Sequence, residues 1–217
     1  MHCNNEHNIY DNSQYSLIAG QRNVRFGKYS WQVLDVQNGK ALLLTEDIIE
    51  RRCYHNSYEW ITWEGCGLRG YLNGVFLQTF DSSEQSRIAS VTNTNSDNPW
   101  YNASGGKNTT DKIFLLSIDE MVKYFGDSGD LRARKGWYWD QEGKQYVLRD
   151  GKGYCINDQY NVARMAKFEE GKMWWWLRSP GDIGLRAASV TFDGYLDVTG
   201  DGLYFDGGVR PALWLNL

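Results

Sequence analysis

The sequence predicts an α+β fold of short antiparallel strands, two main helices and long loops. Three observations carry that reading. Asn38-Gly39 lies between two apolar runs, the strongest short hairpin signal. Leu68, Tyr71, Leu72, Val75 and Phe76 recur at i, i+3, i+4, i+7 and i+8, the spacing of one helix face. From Trp174 to Leu217, apolar strand-like runs alternate with Asp-Gly pairs.

The elements follow in chain order. VRFGKYSWQVLDVQNGKALLLTED reads as two strands, with Trp31, Val33 and Leu34 in the first and Leu42, Leu43 and Leu44 in the second. Thr62 can cap the helix that carries Leu68 to Phe76. A short helix over 82–87 follows. Residues 91–110 form a polar loop with two Asn-x-Ser/Thr triplets, at Asn102 and Asn108, which matter only in a host that glycosylates. KIFLLS is a short buried strand. Ser117 and Glu120 then make a capping box that opens a helix through Met121, Val122 and Phe125. In the polar and aromatic stretch 126–173, DQYNVARMAKF reads as helical. MWWWLR is a central strand, and Ser179-Pro180-Gly181 a turn. Asp193-Gly194 and Asp201-Gly202 read as hairpin turns, and Asp206-Gly207 as a third turn. GVRPALWLNL closes the chain as a strand in which Pro211, lacking an N–H, marks an edge or a bulge.

With no linker, low-complexity run or internal repeat, the expectation is one domain over 24–217 preceded by an N-terminal extension, 1–23. A chain of 217 residues with 41% hydrophobic and 23% charged residues can bury a sizeable core. The net charge of −4 leaves no basic excess to neutralise phosphates, so nucleic acid is not an expected partner. No apolar run reaches the length of a membrane span. MHCNNEHNIYDNSQYSLIAG lacks the layout of a signal peptide, so either the chain does not follow that route or a leader or anchor is missing from it.

Cys3, Cys53, Cys66 and Cys155 form no CxxC pair, which argues against zinc; two disulfides or four thiols both remain open. The histidines are His2, His7 and His55, too few and too early for a histidine-built metal or catalytic site. No Ser-His-Asp, Cys-His or HExxH arrangement can be assembled around the C-terminal segment. Asp197 to Gly202 places Asp at loop positions 1 and 5 and Gly at 6, as a calcium loop does. Position 12 is Gly208 rather than glutamate, so the turn reading stands and no metal or cofactor is expected. Aromatic residues reach 15%, with ten Trp. Such rings fill a β-rich core and its corners; exposed, they bind sugars and cations.

One compositional feature is sharper. Between Ser179 and Leu213 there is no Lys, Glu, Gln, Trp or Met, although these five types make up about a fifth of the chain. Strand-and-turn composition thins Lys, Glu and Gln but does not abolish all five.

WWWLRSPG, the Asp-Gly-rich stretch after it and GVRPALWLNL together resemble the C-terminus of a widespread bacterial domain family associated with the C-type lectin fold, in its formylglycine-generating-enzyme-like branch. WQVLDVQNGKALLLTEDIIE, TWEGCGLRGYLNGVF and KIFLLS are similar to earlier blocks, so the resemblance covers most of 24–217. Gly208-Val209-Arg210 matches the Gly-Phe-Arg with which that branch typically ends. Members of the fold include the variable proteins of diversity-generating retroelements, in which adenines near the 3′ end of the gene are randomised. Adenine mutagenesis of AAC or AAT codons never yields Lys, Glu, Gln, Trp or Met, the five types absent here.

The resemblance implies a non-catalytic ligand-binding protein whose variable region, about 182–206, contacts varied targets, a protein or another cell-surface molecule. It also implies display on a cell surface or phage particle. The implied contacts are Asp182, Ile183, Leu185, Arg186, Ser189, Thr191, Phe192, Asp193, Tyr195, Asp197, Thr199, Asp201, Leu203, Tyr204, Phe205 and Asp206. Tyr and Phe would be anchors, with Arg186 and the aspartates setting charge complementarity. WWWLRSP and GGVRPALWLNL would be fixed scaffold. A fixed-surface adhesive or structural domain of the same fold is the alternative. An oxidase-type enzyme of the branch would need a late copper-binding cysteine pair or late histidines. Here Cys155 is the one late cysteine, and no histidine follows His55. The calcium-lectin triplets Glu-Pro-Asn and Gln-Pro-Asp are absent, so the fold name does not argue for sugar.

Overall fold

The chain is mostly strands with a few short helices, as the computed structural model of residues 23–134, 136–140, 142–149 and 154–217 shows. The extension read over 1–23 lies, up to residue 22, outside the described residues. In chain order the elements are β1 (Asn23–Phe26), β2 (Tyr29–Gln37), β3 (Lys40–Thr45), β4 (Glu50–Cys53), α1 (Gly67–Tyr71), α2 (Ser82–Arg87), β5 (Val91–Asn93), β6 (Thr109–Asp111), β7 (Ile113–Phe114), α3 (Ile118–Phe125), α4 (Asp130–Ala133), β8 (Gly136–Asp140), β9 (Gln145–Arg149), β10 (Cys155–Ile156), α5 (Asn161–Arg164), β11 (Ala166–Phe168), β12 (Gly171–Met173), β13 (Trp175–Pro180), β14 (Arg186–Val190), β15 (Leu196–Gly202), β16 (Asp206–Val209) and β17 (Ala212–Asn216). The class is α+β.

The Asn38-Gly39 hairpin forms as its sequence predicts. Gln37 pairs with Lys40, and both turn residues adopt positive φ, 52° and 70°, the primed-turn geometry that matches strand twist. The stretch holds three strands rather than two, because Gly27 and Lys28 make a further turn that pairs Phe26 with Tyr29. A five-stranded sheet in the order β1-β2-β3-β17-β7 results. Every residue of β3 after Lys40 is buried.

The second sheet runs β4-β16-β13-β14-β15-β10-β8-β9. Only Trp175 to Arg178 of MWWWLR belong to its inner strand β13, which is buried at every position; Met173 ends β12, and both Met173 and Trp174 are partly exposed. GVRPALWLNL is not one strand. Gly208 and Val209 end β16 in this sheet, and Ala212 to Asn216 form β17 in the other. Pro211 sits at the crossing between sheets, where no ladder N–H is required and its carbonyl accepts from Thr45 N–H at 3.0 Å. Asp201-Gly202 and Asp206-Gly207 are likewise strand residues, in β15 and β16. The turn lies between them at Leu203–Phe205, closed by Phe205 N–H on the Gly202 carbonyl. The glycines here make room for rings rather than reverse the chain: Gly202 lies against Tyr204 and Phe205, and a Cβ at Gly207 would strike Trp174 and Trp176. Asp193-Gly194 does turn the chain, between β14 and β15. Ser179 and Pro180 remain in β13, and the turn begins after Gly181.

Leu68, Leu72 and Phe76 are buried, but Val75 is exposed. The helix widens into a π turn at Leu72–Phe76 and tightens to a 3₁₀ turn at Leu77–Thr79, which rotates i+7 outward and keeps i+4 and i+8 inside. Thr62 does not cap α1; Cys66 does, its Sγ accepting from Arg69 N–H at 3.4 Å. Burial pushes the Cys66 thiol up to about 12, so it behaves as a small apolar group. α2 forms with a capping box from Asp81 and Glu84, and α3 with the one expected from Ser117 and Glu120. The helical reading of DQYNVARMAKF holds only for α5. Arg164 turns inward to pair with Asp158 at 3.0 Å, and Ala166–Phe168 pairs with β12 instead.

Three buried arginines fasten the scaffold. Arg178 of β13 pairs bidentately with Glu120 and donates to the Leu115 carbonyl at 2.7 Å and that of Thr94 at 3.2 Å. Arg210 donates to the Thr45 and Glu46 carbonyls at 2.8 and 3.1 Å and lies over the Trp175 ring. Burial pulls its pKa down to about 10. Arg164 fixes Trp175, whose Nε1–H donates to its carbonyl at 3.1 Å.

The polar loop over 91–110 is tied at its two ends by the β5–β6 pair and between them by Asn98. Asn98 is fully buried. Its Nδ2 donates to the Pro180 and Val198 carbonyls at 2.9 and 2.8 Å, and its Oδ1 accepts from Trp100 and Tyr101 N–H. All four hydrogen-bonding positions of that amide are used. Among the described residues no helix is long and apolar enough to cross a membrane.

Candidate ligand-binding site

Antiparallel strands separate what the sequence placed in one segment. β14 and β15 run between two ends, and the predicted contact residues divide among those ends and the sheet between them. Asp182, Ile183, Leu185, Arg186, Leu203, Tyr204, Phe205 and Asp206 gather at one end, where Leu203 N–H donates to the Leu185 carbonyl at 3.2 Å. Thr191, Phe192, Asp193 and Tyr195 form the hairpin at the other, roughly 15–20 Å away by strand rise. Ser189, Asp197, Thr199 and Asp201 lie on the strands between.

Two of the sixteen predicted contacts cannot meet a ligand. Ser189 is fully buried and its hydroxyl donates to Asp201 Oδ2 at 2.7 Å. Leu203 is a core residue, drawn inward because its carbonyl accepts from His55 N–H at 3.0 Å. Others are engaged in holding the backbone. Thr191 Oγ1 accepts from Tyr195 N–H at 3.0 Å across the hairpin. Asp197 Oδ1 accepts from Gly200 N–H at 2.9 Å and fixes a bulge in β15. Gly200 has φ +79°, and a Cβ there would strike the Ala187 carbonyl, so that bulge requires glycine. Thr199 Oγ1 meets Tyr101 OH at 3.1 Å. Burial, and then the charge of neighbouring Asp201, push Asp197 up to about 7. Burial also raises Asp201, with the Ser189 hydrogen bond acting against it.

The large side chains that remain open are apolar, with Asp206 exposed beside them. Ile183, Tyr204 and Phe205 are about half exposed at the first end, and Phe192 stands alone at the second. The first end is joined by two rings from outside the segment, Tyr58 and Trp60, 77% and 74% exposed. Tyr58 lies 6.2 Å from Tyr204, which lies 4.5 Å from Phe205, ring centre to ring centre. Ile61 N–H donates to the Gly184 carbonyl at 3.0 Å, tying the Trp60 strand of chain to the 182–185 turn.

Beside this rim opens a cleft of about 640 Å³. Trp60, Ile61, Thr62, Glu64 and Gly65 form one wall, Asp182, Ile183 and Gly184 the second, and Ala103 and Ser104 the third. Each wall is fixed from behind. The first rests on Asp111, whose buried carboxylate accepts from Trp63 Nε1, Arg69 Nε, Asn93 Nδ2 and Thr109 Oγ1 at 2.7 to 3.1 Å. The third is seated because Gly106, at φ +79°, lets the backbone press against the Thr62 side chain; a Cβ there would collide with it.

Sequence reasoning missed Tyr58 and Trp60. The signal was present in HNSYEWITWEG, where large rings recur with neither the period of a strand nor that of a helix, so no single core face can take them all. Among the described residues no group of three or more His, Cys, Asp or Glu is placed to hold a metal. Preformed walls, apolar lining and a few polar groups are the properties of a binding site.

One family model matches residues 38–217, from the β2–β3 turn to the last residue, and so takes in the whole rim and cleft; it is described as Domain of unknown function (DUF6273). No curated protein and no solved structure matches the chain.

Proposed function

The chain belongs to the DUF6273 family, and from that premise we propose that it is a non-catalytic ligand-binding protein of C-type lectin fold whose C-terminal surface is diversified by a retroelement to bind varied, chiefly protein, targets. The observation that supports this reading is the aromatic rim. Ile183, Tyr204 and Phe205 come from the segment that lacks Lys, Glu, Gln, Trp and Met, and they stand exposed around a cleft whose other wall is built from elsewhere. Exposed Tyr, Trp and Phe supply large contact area with few rotamers to freeze, the usual chemistry of a protein-binding surface. Beneath them, buried hydrogen bonds hold the backbone independently of the rim side chains.

The lectin-fold assignment rests on the resemblance of WWWLRSPG and GVRPALWLNL, and the α+β arrangement agrees with it at the level of class. In this reading the diversified contacts narrow to Asp182, Ile183, Leu185, Arg186, Tyr204, Phe205 and Asp206, with Tyr58 and Trp60 as fixed partners. Display on a cell surface or phage particle belongs to the same proposal.

Sequencing the DNA downstream of the gene tests it. The expected finding is a near-copy of the region encoding residues 174–217 that differs at adenines, beside a reverse transcriptase gene. Its absence sinks the diversification reading and leaves a fixed surface with an adhesive or structural role.

A further inference from the structure

We propose that the cleft beside the rim takes a cationic side chain, a lysine or arginine of the bound partner, with its alkyl stem along Trp60, Ile61 and Ile183 and its charged head at Asp182 and Glu64. This deepens the binding reading above and rests on it.

The lining decides the chemistry. Its walls are mostly apolar, and among the described residues that line it the ionisable groups are two carboxylates, Glu64 and Asp182, with no Lys, Arg or His. Two cations stand behind those carboxylates: Lys107, 3.6 Å from Glu64, and Arg186, 3.2 Å from Asp182 Oδ2. Neither saturates its partner. The Lys107 side chain is 85% exposed, and an ion pair so wet contributes little. Arg186 engages only Oδ2 of Asp182. The other oxygen, Oδ1, is buried and has no hydrogen-bond partner. The Asp182 and Glu64 side chains nonetheless keep 25% and 43% of their surface open, so a donor brought by a ligand can reach both carboxylates.

The apolar part fits the same ligand. Lysine and arginine carry a hydrocarbon stem that packs on apolar surface while the head stays polar. Trp60 offers the best aromatic face for a cation, and it is open to the cleft. An anionic ligand would meet two carboxylates, and a purely apolar one would desolvate them without bringing a donor.

The test uses the whole chain and three probes of one length: n-hexylammonium, 1-hexanol and hexanoate. Binding is followed by NMR at the Trp60 indole N–H and the Ile183 methyls. The expected order is hexylammonium first, about fivefold or more over hexanol at low salt, with hexanoate weakest, and the preference shrinking as salt rises. In Asp182→Asn with Glu64→Gln, hexanol binding is retained and the ammonium advantage falls below about twofold. Each isosteric change keeps the shape, and an unchanged amide spectrum away from the cleft verifies the fold. Equal affinity for ammonium and alcohol, tighter binding of hexanoate, or ammonium-induced shifts confined to other sites would overturn the proposal. Its failure is separable from that of the diversification reading. Downstream DNA with a near-copy and no charge preference sinks only the cation site; a charge preference without a near-copy sinks only diversification.

Discussion

Trp175 and Trp176 are fully buried; Trp60 and Tyr204 stand in solvent. Both pairs come from aromatic, strand-rich sequence, and composition does not separate them. Hydrogen bonding and neighbours do. Trp175 and Trp176 give their indole N–H groups to the Arg164 and Arg52 carbonyls, at 3.1 and 2.9 Å, and Arg210 covers the Trp175 ring. Each is held at its polar tip as well as its apolar body. Tyr204 meets other exposed rings instead, Tyr58 and Phe205. The contrast separates the aromatic residues that lock the sheet from those left open on the loops and turns at its end. The scaffold should therefore break under substitutions that leave the rim untouched, and the reverse.

The largest effect is expected at Arg178. Arg178→Ala leaves Glu120 without its bidentate partner and strips donors from the Leu115 and Thr94 carbonyls. Glu120 keeps about a quarter of its side chain in water, so the cost comes mainly from the carbonyls left without donors and the space left by the guanidinium, about 3 kcal/mol in all. Urea unfolding measures it; a loss under about 1 kcal/mol would mean that the flank is not locked as described. Asn98→Ala comes next. It strands two carbonyls and two amides where the 91–110 loop meets β13 and β15, and about 2 kcal/mol should be lost. Because that loop carries Ala103 and Ser104, hexylammonium binding should weaken in parallel.

A smaller effect separates the strand surface from both regions. Asp197 sits near 7 in the folded chain and near the ordinary carboxylate value when unfolded. Its folded pKa is raised, so the folded state holds a proton that the unfolded state releases. The associated stability is present below about pH 4 and is lost as pH rises through 7. Asp197→Asn keeps an oxygen for Gly200 N–H and has no proton to lose. The variant should gain on the native chain between pH 5 and 8, by about 1 kcal/mol after allowance for the residue's partial exposure. A stability difference that stays flat with pH would show that Asp197 is ionised without penalty.

How much of this could be read from the sequence depends on how local its cause is. Asn38-Gly39 dictates its turn through two backbone angles, and Ser117 with Glu120 dictates a helix start through two hydrogen bonds; both were legible. Asp201-Gly202 and Asp206-Gly207 carry the same local signal and do not turn, because β14 and β4 pair with those positions from far along the chain. GVRPALWLNL reads as one strand, and only the crossing between sheets shows that Pro211 divides it. At the rim, Ile183, Tyr204 and Phe205 were singled out because they lie in a compositionally distinct segment, and they do stand exposed. Ser189 and Leu203 were misread because they share that segment while facing inward. Tyr58 and Trp60 lie more than a hundred residues away in sequence, and only the fold brings them to the rim.

The smallest expected effect is the sharpest test of the comparison, because it sets neighbours against each other. Ile183→Asn, Tyr204→Asn and Phe205→Asn alter exposed side chains that make no hydrogen bond to the scaffold, and each should change stability by less than about 0.5 kcal/mol. Leu203→Asn, one residue from Tyr204, places an amide in the core and should cost about 3 kcal/mol. Asparagine is the informative choice, since AAC or AAT at the rim is the codon from which adenine mutagenesis would start. Unfolding midpoints of the four variants decide the matter. If the three rim variants hold and Leu203→Asn falls, the surface changes without disturbing the fold, as diversification requires. If Tyr204→Asn and Phe205→Asn fall as far as Leu203→Asn, the rim is part of the scaffold, and a surface that must vary could not be built there.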